Sequence, residues 1–184
     1  MPMKVLLDAC VLYPTVMRAV LLEAAGQGLF TPLWSDRILE EWARAARKIG
    51  PEGEALARAE VAMTRAAWPA ASVRWKPSLE DRLWLPDIND RHVLAAAIAG
   101  SADVLVTMNA KDFPRQMLAE EGLSRADPDS FLLGLWKANP EAMQTACAKV
   151  LDEARRLSGD DWSLRALLKK ARLPRLGKAL TAPA

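Results

Sequence analysis

Four acidic residues, far apart in the chain, stand where a folded protein is able to gather them. Asp8 follows the apolar run "KVLL", and Asp112 comes shortly after the apolar run "DVLVT". Asp90 opens the alanine-rich segment that precedes "DVLVT", and Glu41 stands beside the apolar stripe of a predicted helix. Carboxylates held close together repel one another unless a cation neutralises them. Magnesium or manganese is the cation that carboxylate and water ligands favour.

The reaction that such a site suits is hydrolysis of a phosphodiester. A bound metal polarises the phosphate, lowers the pKa of an attacking water and stabilises the leaving oxygen; the sequence does not decide between one metal ion and two. Asn109 offers a further oxygen ligand, and Thr107 either orients a carboxylate or simply ends its strand. No nucleophilic serine or cysteine motif competes with this interpretation. The single histidine, His92, is expected to pack or bond locally rather than to act as a general base.

Each acid also has an ordinary structural explanation. Asp8 suits the cap of a first helix, Asp112 suits a turn, and Glu41 is within helical reach of Arg37 and Arg44. The argument for a site rests on the set. In an open parallel sheet, ligands bind beyond the carboxyl ends of the strands, and several of these acids are predicted to lie there.

Strand and helix patterns alternate through the first two thirds of the chain, which predicts an α/β fold with a parallel sheet. The predicted strands are "KVLL", "TPLWS", "ASVRW", "DVLVT" and "LSRA", and "PSLEDRLWLP" is predicted to be a connection. The predicted helices begin near Pro14, Ser35, Pro51, Asp90 and Pro114. After Asp127 the pattern indicates helices only, with a proline in "ANPEAM" separating two of them.

Composition excludes several other classes of protein. The chain has 184 residues, half of them hydrophobic, and a net charge of +2, which is too small to identify a nucleic-acid-binding protein. The start is not a convincing signal peptide, and no apolar segment is long enough to span a bilayer. Cys10 and Cys147 lie far apart without metal-ligand spacing, so each is expected to be a buried or idle thiol. We expect a cytoplasmic protein.

Four segments together resemble a known family. "VLLDACVLYP", "ILEEWAR", "DINDRHVLAAAIAGSADVLVTMNAKDFP" and "ADPDSFLLGL" look like the PIN domain, in the branch of the VapC-type toxins, over residues 3–136. The resemblance implies a three-layer α/β/α fold and a metal-dependent endoribonuclease, usually the toxin of a type II toxin–antitoxin pair. It also implies a PIN-like domain over residues 1–136, followed by a helical extension over residues 137–184.

The resemblance assigns the site residue by residue. The family's catalytic and metal-binding acids fall on Asp8, Glu41, Asp90 and Asp112, and Asn109 matches a polar position beside them. The implied ion is Mg²⁺ or Mn²⁺. Glu40 stays an alternative to Glu41, and Asp87 is interpreted as a helix cap.

RNA binding requires positive charge beside the acids, because phosphate contacts supply most of the affinity. The candidates are Arg18, Arg91, Lys111 and Arg115. The basic segment 165–178 is interpreted as an ordinary amphipathic helix with some phosphate contact, and the tryptophans as core or interface rather than as base-stacking side chains.

The resemblance implies a cognate antitoxin and a homodimer as partners. The alternative function is a PIN-like scaffold that binds RNA or a partner without cutting. Aspartate-nucleophile phosphatases are set aside because Cys10 stands where they need a second aspartate.

Overall fold

Four short strands form one parallel sheet. The computed structural model describes residues 1–183, and its sheet has the order β2-β1-β3-β4 with every neighbouring pair parallel. The strands are β1 Lys4–Leu7, β2 Thr31–Leu33, β3 Val104–Val106 and β4 Ser124–Ala126. β1 and β3 consist mainly of buried valine and leucine, as expected for parallel strands covered on both faces. The all-parallel sheet flanked by helices confirms the predicted three-layer α/β/α, PIN-like class.

Eleven α-helices lie within residues 1–183. They are α1 Ala9–Leu12, α2 Thr15–Gly26, α3 Asp36–Ala45, α4 Gly53–Ala67, α5 Pro77–Asp81, α6 Arg91–Ala99, α7 Arg115–Glu120, α8 Pro128–Ala138, α9 Pro140–Ser158, α10 Leu164–Lys170 and α11 Pro174–Leu180. Short 3₁₀ helices cover Ala46–Ile49, Ile88–Asp90 and Ala110–Asp112. The helix starts follow their local chemistry: the Ser35 hydroxyl accepts a hydrogen bond from the Ile38 N–H at the start of α3.

Two expectations about single segments were wrong. "ASVRW" is not a strand, because only Ser72 forms a bridge, to Trp34. The segment alternates apolar and polar residues, but its pairing is confined to Trp34, which donates to the Ala71 carbonyl at 3.0 Å and accepts the Val73 N–H at 2.8 Å. The predicted connection "PSLEDRLWLP" contains the helix α5, which Pro77 starts with the φ angle that suits a first helical turn.

Contacts divide the chain into two compact units. Apart from the first two residues, the first unit comprises residues 3–13 and 31–126 and holds the sheet. The second comprises residues 14–30 and 127–183 and is entirely helical in its regular structure. The helical character after Asp127 is therefore as predicted, whereas the grouping of α2 with the C-terminal helices was not foreseen. The predicted domain boundary after residue 136 stays a prediction.

The second unit has its own apolar core and a buried acid. Met17, Leu132 and Met143 are among its fully buried side chains. Asp129 is 7% exposed, and its two carboxylate oxygens accept hydrogen bonds from the backbone N–H groups of Arg175 and Leu176 at 3.0 and 2.9 Å. Those groups belong to the first turn of α11, so Asp129 satisfies donors that the helix itself leaves unpaired. Over residues 1–183, no helix is both long and apolar enough to cross a membrane.

Candidate active site

Asp8 lies at the carboxyl end of β1, where the chain turns into α1. Its backbone N–H donates to the Val106 carbonyl of β3 at 3.1 Å, which extends the ladder to the end of both strands. The side chain is 6% exposed. Its Oδ1 accepts the N–H of Ala9 at 2.8 Å, and its Oδ2 accepts the hydroxyl of Thr107 at 2.8 Å. Asp8 thus caps α1, as the structural explanation predicted, and it also holds a carboxylate in a fixed position at the edge of the sheet.

Thr107 and Cys10 complete the surroundings of Asp8. The Thr107 hydroxyl also accepts the N–H of Asn109 at 3.0 Å. The Cys10 thiol donates to Oδ2 of Asp8 at 3.5 Å, and its sulfur accepts the N–H of Met108 at 3.3 Å. Burial, followed by the charge of Asp8, raises the pKa of the Cys10 thiol to about 12, so this sulfur stays protonated at neutral pH. Thr107 therefore does orient a carboxylate, and Cys10 is part of the site rather than idle.

Asp8 has a raised pKa whose main cause is burial of its carboxylate. The hydrogen bonds from Thr107, Ala9 and Cys10 oppose the rise, and the charge of Glu41 adds to it. An anion held in this way is costly without a counter-charge, because desolvation penalises the charged form.

Asp90 is half-buried, and its pKa is affected by the charges of the other acids. Its pKa is raised to about 6, first by desolvation and then by the negative charges of Asp87, Asp112, Asp8 and Glu41. Asp90 makes no capping hydrogen bond at the start of α6. Asp87 caps the preceding 3₁₀ helix Ile88–Asp90 instead, since its Oδ1 accepts the N–H of Asn89 at 2.9 Å. The four predicted acids therefore do influence one another, and the capping role belongs to Asp87.

Glu41 lies on α3, and its partly exposed side chain contacts His92 of α6. Nε2 of the fully buried His92 lies 2.6 Å from Oε1 of Glu41. The two atoms are close enough for an ion pair but lack hydrogen-bond alignment, and neither ring nitrogen has a hydrogen-bond partner within residues 1–183. The sequence expectation that His92 bonds or packs locally missed this contact, because the two residues are brought together only by the packing of α3 and α6.

Glu40 is engaged elsewhere. Its carboxylate accepts hydrogen bonds from Arg44 and Arg58 at 2.8–2.9 Å, and these guanidinium groups, Arg58 foremost, lower the pKa of Glu40 to about 2. Arg37, the other suggested partner of Glu41, pairs with Glu80 instead. The geometry therefore favours Glu41 over Glu40 as the site glutamate.

Asp112 ends the 3₁₀ helix Ala110–Asp112, and its N–H donates to the Asn109 carbonyl at 3.1 Å. Asn109 and Lys111 are exposed in the same turn, and Arg115 is exposed at the start of α7. Arg91 follows Asp90 directly and is half-buried. Arg18 differs from the other predicted phosphate contacts, because it belongs to the second unit and is only 7% exposed. A side chain so buried offers little surface to a phosphate.

The candidate site residues fit a divalent ion in two respects, the type of their donor atoms and their negative charge. All the donors are oxygens of the kind that Mg²⁺ and Mn²⁺ bind, and their mutual repulsion is what a cation relieves. Within residues 1–183, however, no three His, Cys, Asp or Glu side chains stand close enough together to form a complete ligand set. The donor set therefore fits a divalent cation in the type of its oxygen atoms and in its charge.

Thr107→Val is expected to lower the free energy of unfolding by about 1–3 kcal/mol, because it leaves Oδ2 of the buried Asp8 carboxylate with only the weak thiol donor of Cys10. Valine has the shape of threonine, so the change removes the hydroxyl alone. Urea unfolding followed by circular dichroism measures the effect, and Thr107→Ser, which keeps the donor, should lose far less. Equal losses in the two variants would show that the hydroxyl does not support Asp8.

Comparisons with known proteins identify the family of the chain. The family model of the PIN domain matches residues 4–111, which is more than half of the chain. The chain is also 40% identical over 63 residues to a protein of Mycobacterium tuberculosis named "Putative ribonuclease VapC50". That match covers 34% of this chain and 37% of the relative, so it spans little more than a third of either protein. No solved structure matches the chain with significance.

Proposed function

The chain belongs to the PIN domain family, and we propose that it is a metal-dependent endoribonuclease and the toxin of a type II toxin–antitoxin pair. The observation that carries the proposal is the placement of Asp8 and the turn of Asp112 beyond the carboxyl ends of the paired strands β1 and β3. There, burial and the charges of Asp87, Asp112, Asp8 and Glu41 raise the pKa of Asp90 to about 6. A protein gathers repelling carboxylates at one edge of a sheet when a function requires them. The similarity to a relative named as a ribonuclease supports RNA as the substrate.

Asp8, Glu41, Asp90 and Asp112 would hold the ion, with Asn109 as a further oxygen ligand. When bound, Mg²⁺ or Mn²⁺ supplies a Lewis acid that polarises the scissile phosphate and acidifies a water. Asp8 gives the site its rigidity, because the Ala9 N–H donates to Oδ1, and the Thr107 hydroxyl and the weaker Cys10 thiol donate to Oδ2. Oδ1 keeps a lone pair for the ion. Arg91, Lys111 and Arg115 supply positive charge that attracts the RNA backbone toward the acids.

The contact between Glu41 and His92 supports a positioning role for the histidine. The buried ring of His92 lies 2.6 Å from Oε1 of Glu41 and limits the positions that this carboxylate is able to take. Within residues 1–183, Glu41 forms no ion pair with an arginine or lysine, so the imidazole is the polar group nearest to its carboxylate. Holding the carboxylate in place lowers the entropy that ion binding would cost.

The partners in the proposal are a cognate antitoxin and a second copy of the chain. Support for the antitoxin comes from the resemblance to the VapC-type toxins, with which the name of the relative, "Putative ribonuclease VapC50", agrees. The homodimer rests on the resemblance to the family. The location of such a protein would be the cytoplasm, where its RNA substrate lies.

The test is direct. Purified full-length protein is incubated with labelled RNA and Mg²⁺ or Mn²⁺, and the ends of the fragments are mapped by sequencing. We expect cutting at a limited set of sites, and none when EDTA removes the ion. RNA that is bound but uncut with either ion would contradict the proposal and favour the alternative, a scaffold that binds without cleaving. Inducible expression with and without the neighbouring small open reading frame tests the toxin assignment separately, by growth arrest and its relief.

A further inference from the structure

A groove of about 580 Å³ lies directly beside the acids in the first unit. Its lining includes Trp84, Pro86, Asp87, Ile88 and Arg91. Its volume falls within the range of roughly 300–1,000 Å³ that is typical of small-molecule sites. The lining residue Arg91 directly follows Asp90 in the chain and Asp87 begins the 3₁₀ turn that ends at Asp90, so the groove adjoins the turn that carries this acid.

Trp84 is exposed because the leucines on either side of it in the chain are buried. The segment around it has no helix or strand, and Leu83 and Leu85 on either side are buried at 7% and 3% exposure. Alternate side chains of an extended segment point in opposite directions, so burial of the two leucines turns the indole outward. Trp84 is 63% exposed, and Ile88 across the groove is 62% exposed. Large apolar side chains so exposed next to each other indicate a contact surface.

Arg91 supplies the polar side of the groove. Its Nε is buried and has no hydrogen-bond partner within residues 1–183, and no ion pair of Arg91 is formed there either. An unpartnered guanidinium beside an exposed indole is the combination by which proteins hold single-stranded nucleic acid, since every base stacks on an aromatic ring and the cation binds the adjacent phosphate.

We infer that this groove is a subsite for an unpaired RNA nucleotide next to the scissile phosphate, with its base stacked on Trp84 and its phosphate bound by Arg91. The inference rests on the proposed function, because it takes the substrate to be RNA. It places the recognition of single-stranded substrate in the segment 83–91, ahead of α6. Of the two roles expected for the tryptophans, core or interface, the exposure of Trp84 excludes the core for this side chain.

The test measures binding without cleavage. A short fluorescein-labelled oligouridylate is titrated with the full-length protein in EDTA, and affinity is read by fluorescence anisotropy. Trp84→Ala should weaken binding by about 5- to 100-fold, the range for loss of one stacked base, whereas Trp84→Phe should keep most of the affinity. Met63→Ala, which removes a similarly exposed apolar side chain from α4, is the matched control and should bind like the wild type.

Two further measurements separate the base from the phosphate. An oligonucleotide with an abasic nucleotide at the position of the stacked base should bind wild type and Trp84→Ala equally. Arg91→Gln should reduce the slope of log affinity against log salt concentration by about 0.7, the value for one phosphate of a single strand, and Trp84→Ala should leave that slope unchanged.

Failure of the subsite and failure of the nuclease give different results. Unchanged RNA affinity in Trp84→Ala, with RNA still cut at the wild-type rate, would overturn the subsite and leave the nuclease standing. Weaker RNA affinity in Trp84→Ala, in a protein that cuts no RNA with either ion, would support the subsite and contradict the nuclease. A change in self-association of Trp84→Ala on sedimentation, without any change in RNA affinity, would overturn the subsite in favour of a protein contact.

Discussion

Asp90→Asn is expected to slow RNA cleavage by about 10³-fold or more while leaving the protein folded. The carboxylate of Asp90 is repelled by the negative charges of four other acids, Asp8, Glu41, Asp87 and Asp112. Replacing it removes a proposed ligand of the ion and part of the negative charge that attracts the ion. Asparagine has the same shape but no charge. An ion contributes several kcal/mol of transition-state stabilisation, and about 4 kcal/mol corresponds to a 10³-fold rate.

The measurement is single-turnover cleavage of labelled RNA at saturating Mg²⁺ or Mn²⁺, with circular dichroism to confirm folding. Asp152→Asn is the matched control, because Asp152 is an exposed aspartate on α9 in the second unit. It should cut RNA like the wild type. If Asp90→Asn and Asp152→Asn cut at the same rate, the activity comes from elsewhere, and Asp90 is not a ligand.

Much of the fold followed from local patterns. The apolar runs that end at Leu7 and Val106 were legible as strands because parallel strands are buried on both faces. The placement of Asp8 and Thr107 together then followed from the pairing of β1 with β3. The strand proposed for "ASVRW" was wrong because one β-bridge is all that its neighbours allow.

The contacts that sequence reasoning missed are those made between distant elements. The choice between Glu40 and Glu41 depended on where Arg44 and Arg58 lie, and only the packing of α3 against α4 places Arg58 on Glu40. The approach of His92 to Glu41 likewise depends on tertiary packing. One signal was present for Trp84: it stands between two leucines in a segment without helical spacing, which is a pattern of alternating burial.

Ion binding is expected to weaken about tenfold for each pH unit below about 6, or about 100-fold between about pH 6 and pH 4. Asp90 must be ionised to bind a cation, and its pKa in the ion-free protein is about 6. Below that pH the ionised fraction falls tenfold per unit, so protons compete with the ion. The raised pKa of Asp8 steepens the loss. Calorimetric titration with Mn²⁺ at several pH values measures it, and a constant affinity over this range would contradict the proposed ligand set.

The stability of the ion-free protein should change with pH in the opposite sense. Because the pKa of Asp90 is raised from 3.8 to about 6 on folding, the folded state binds more protons than the unfolded state between about pH 4 and 6, and stability falls as pH rises through that window. Asp90→Asn escapes this loss. A shift of this size corresponds to about 3 kcal/mol, which solvent screening of a half-buried group reduces to about 1–2 kcal/mol. The variant should therefore be more stable than the wild type at neutral pH, and urea unfolding should show the difference closing as the pH falls toward 4.

Added Mn²⁺ should stabilise the wild type and leave the variant almost unchanged, because the cation removes the same repulsion between carboxylates that destabilises the ion-free site.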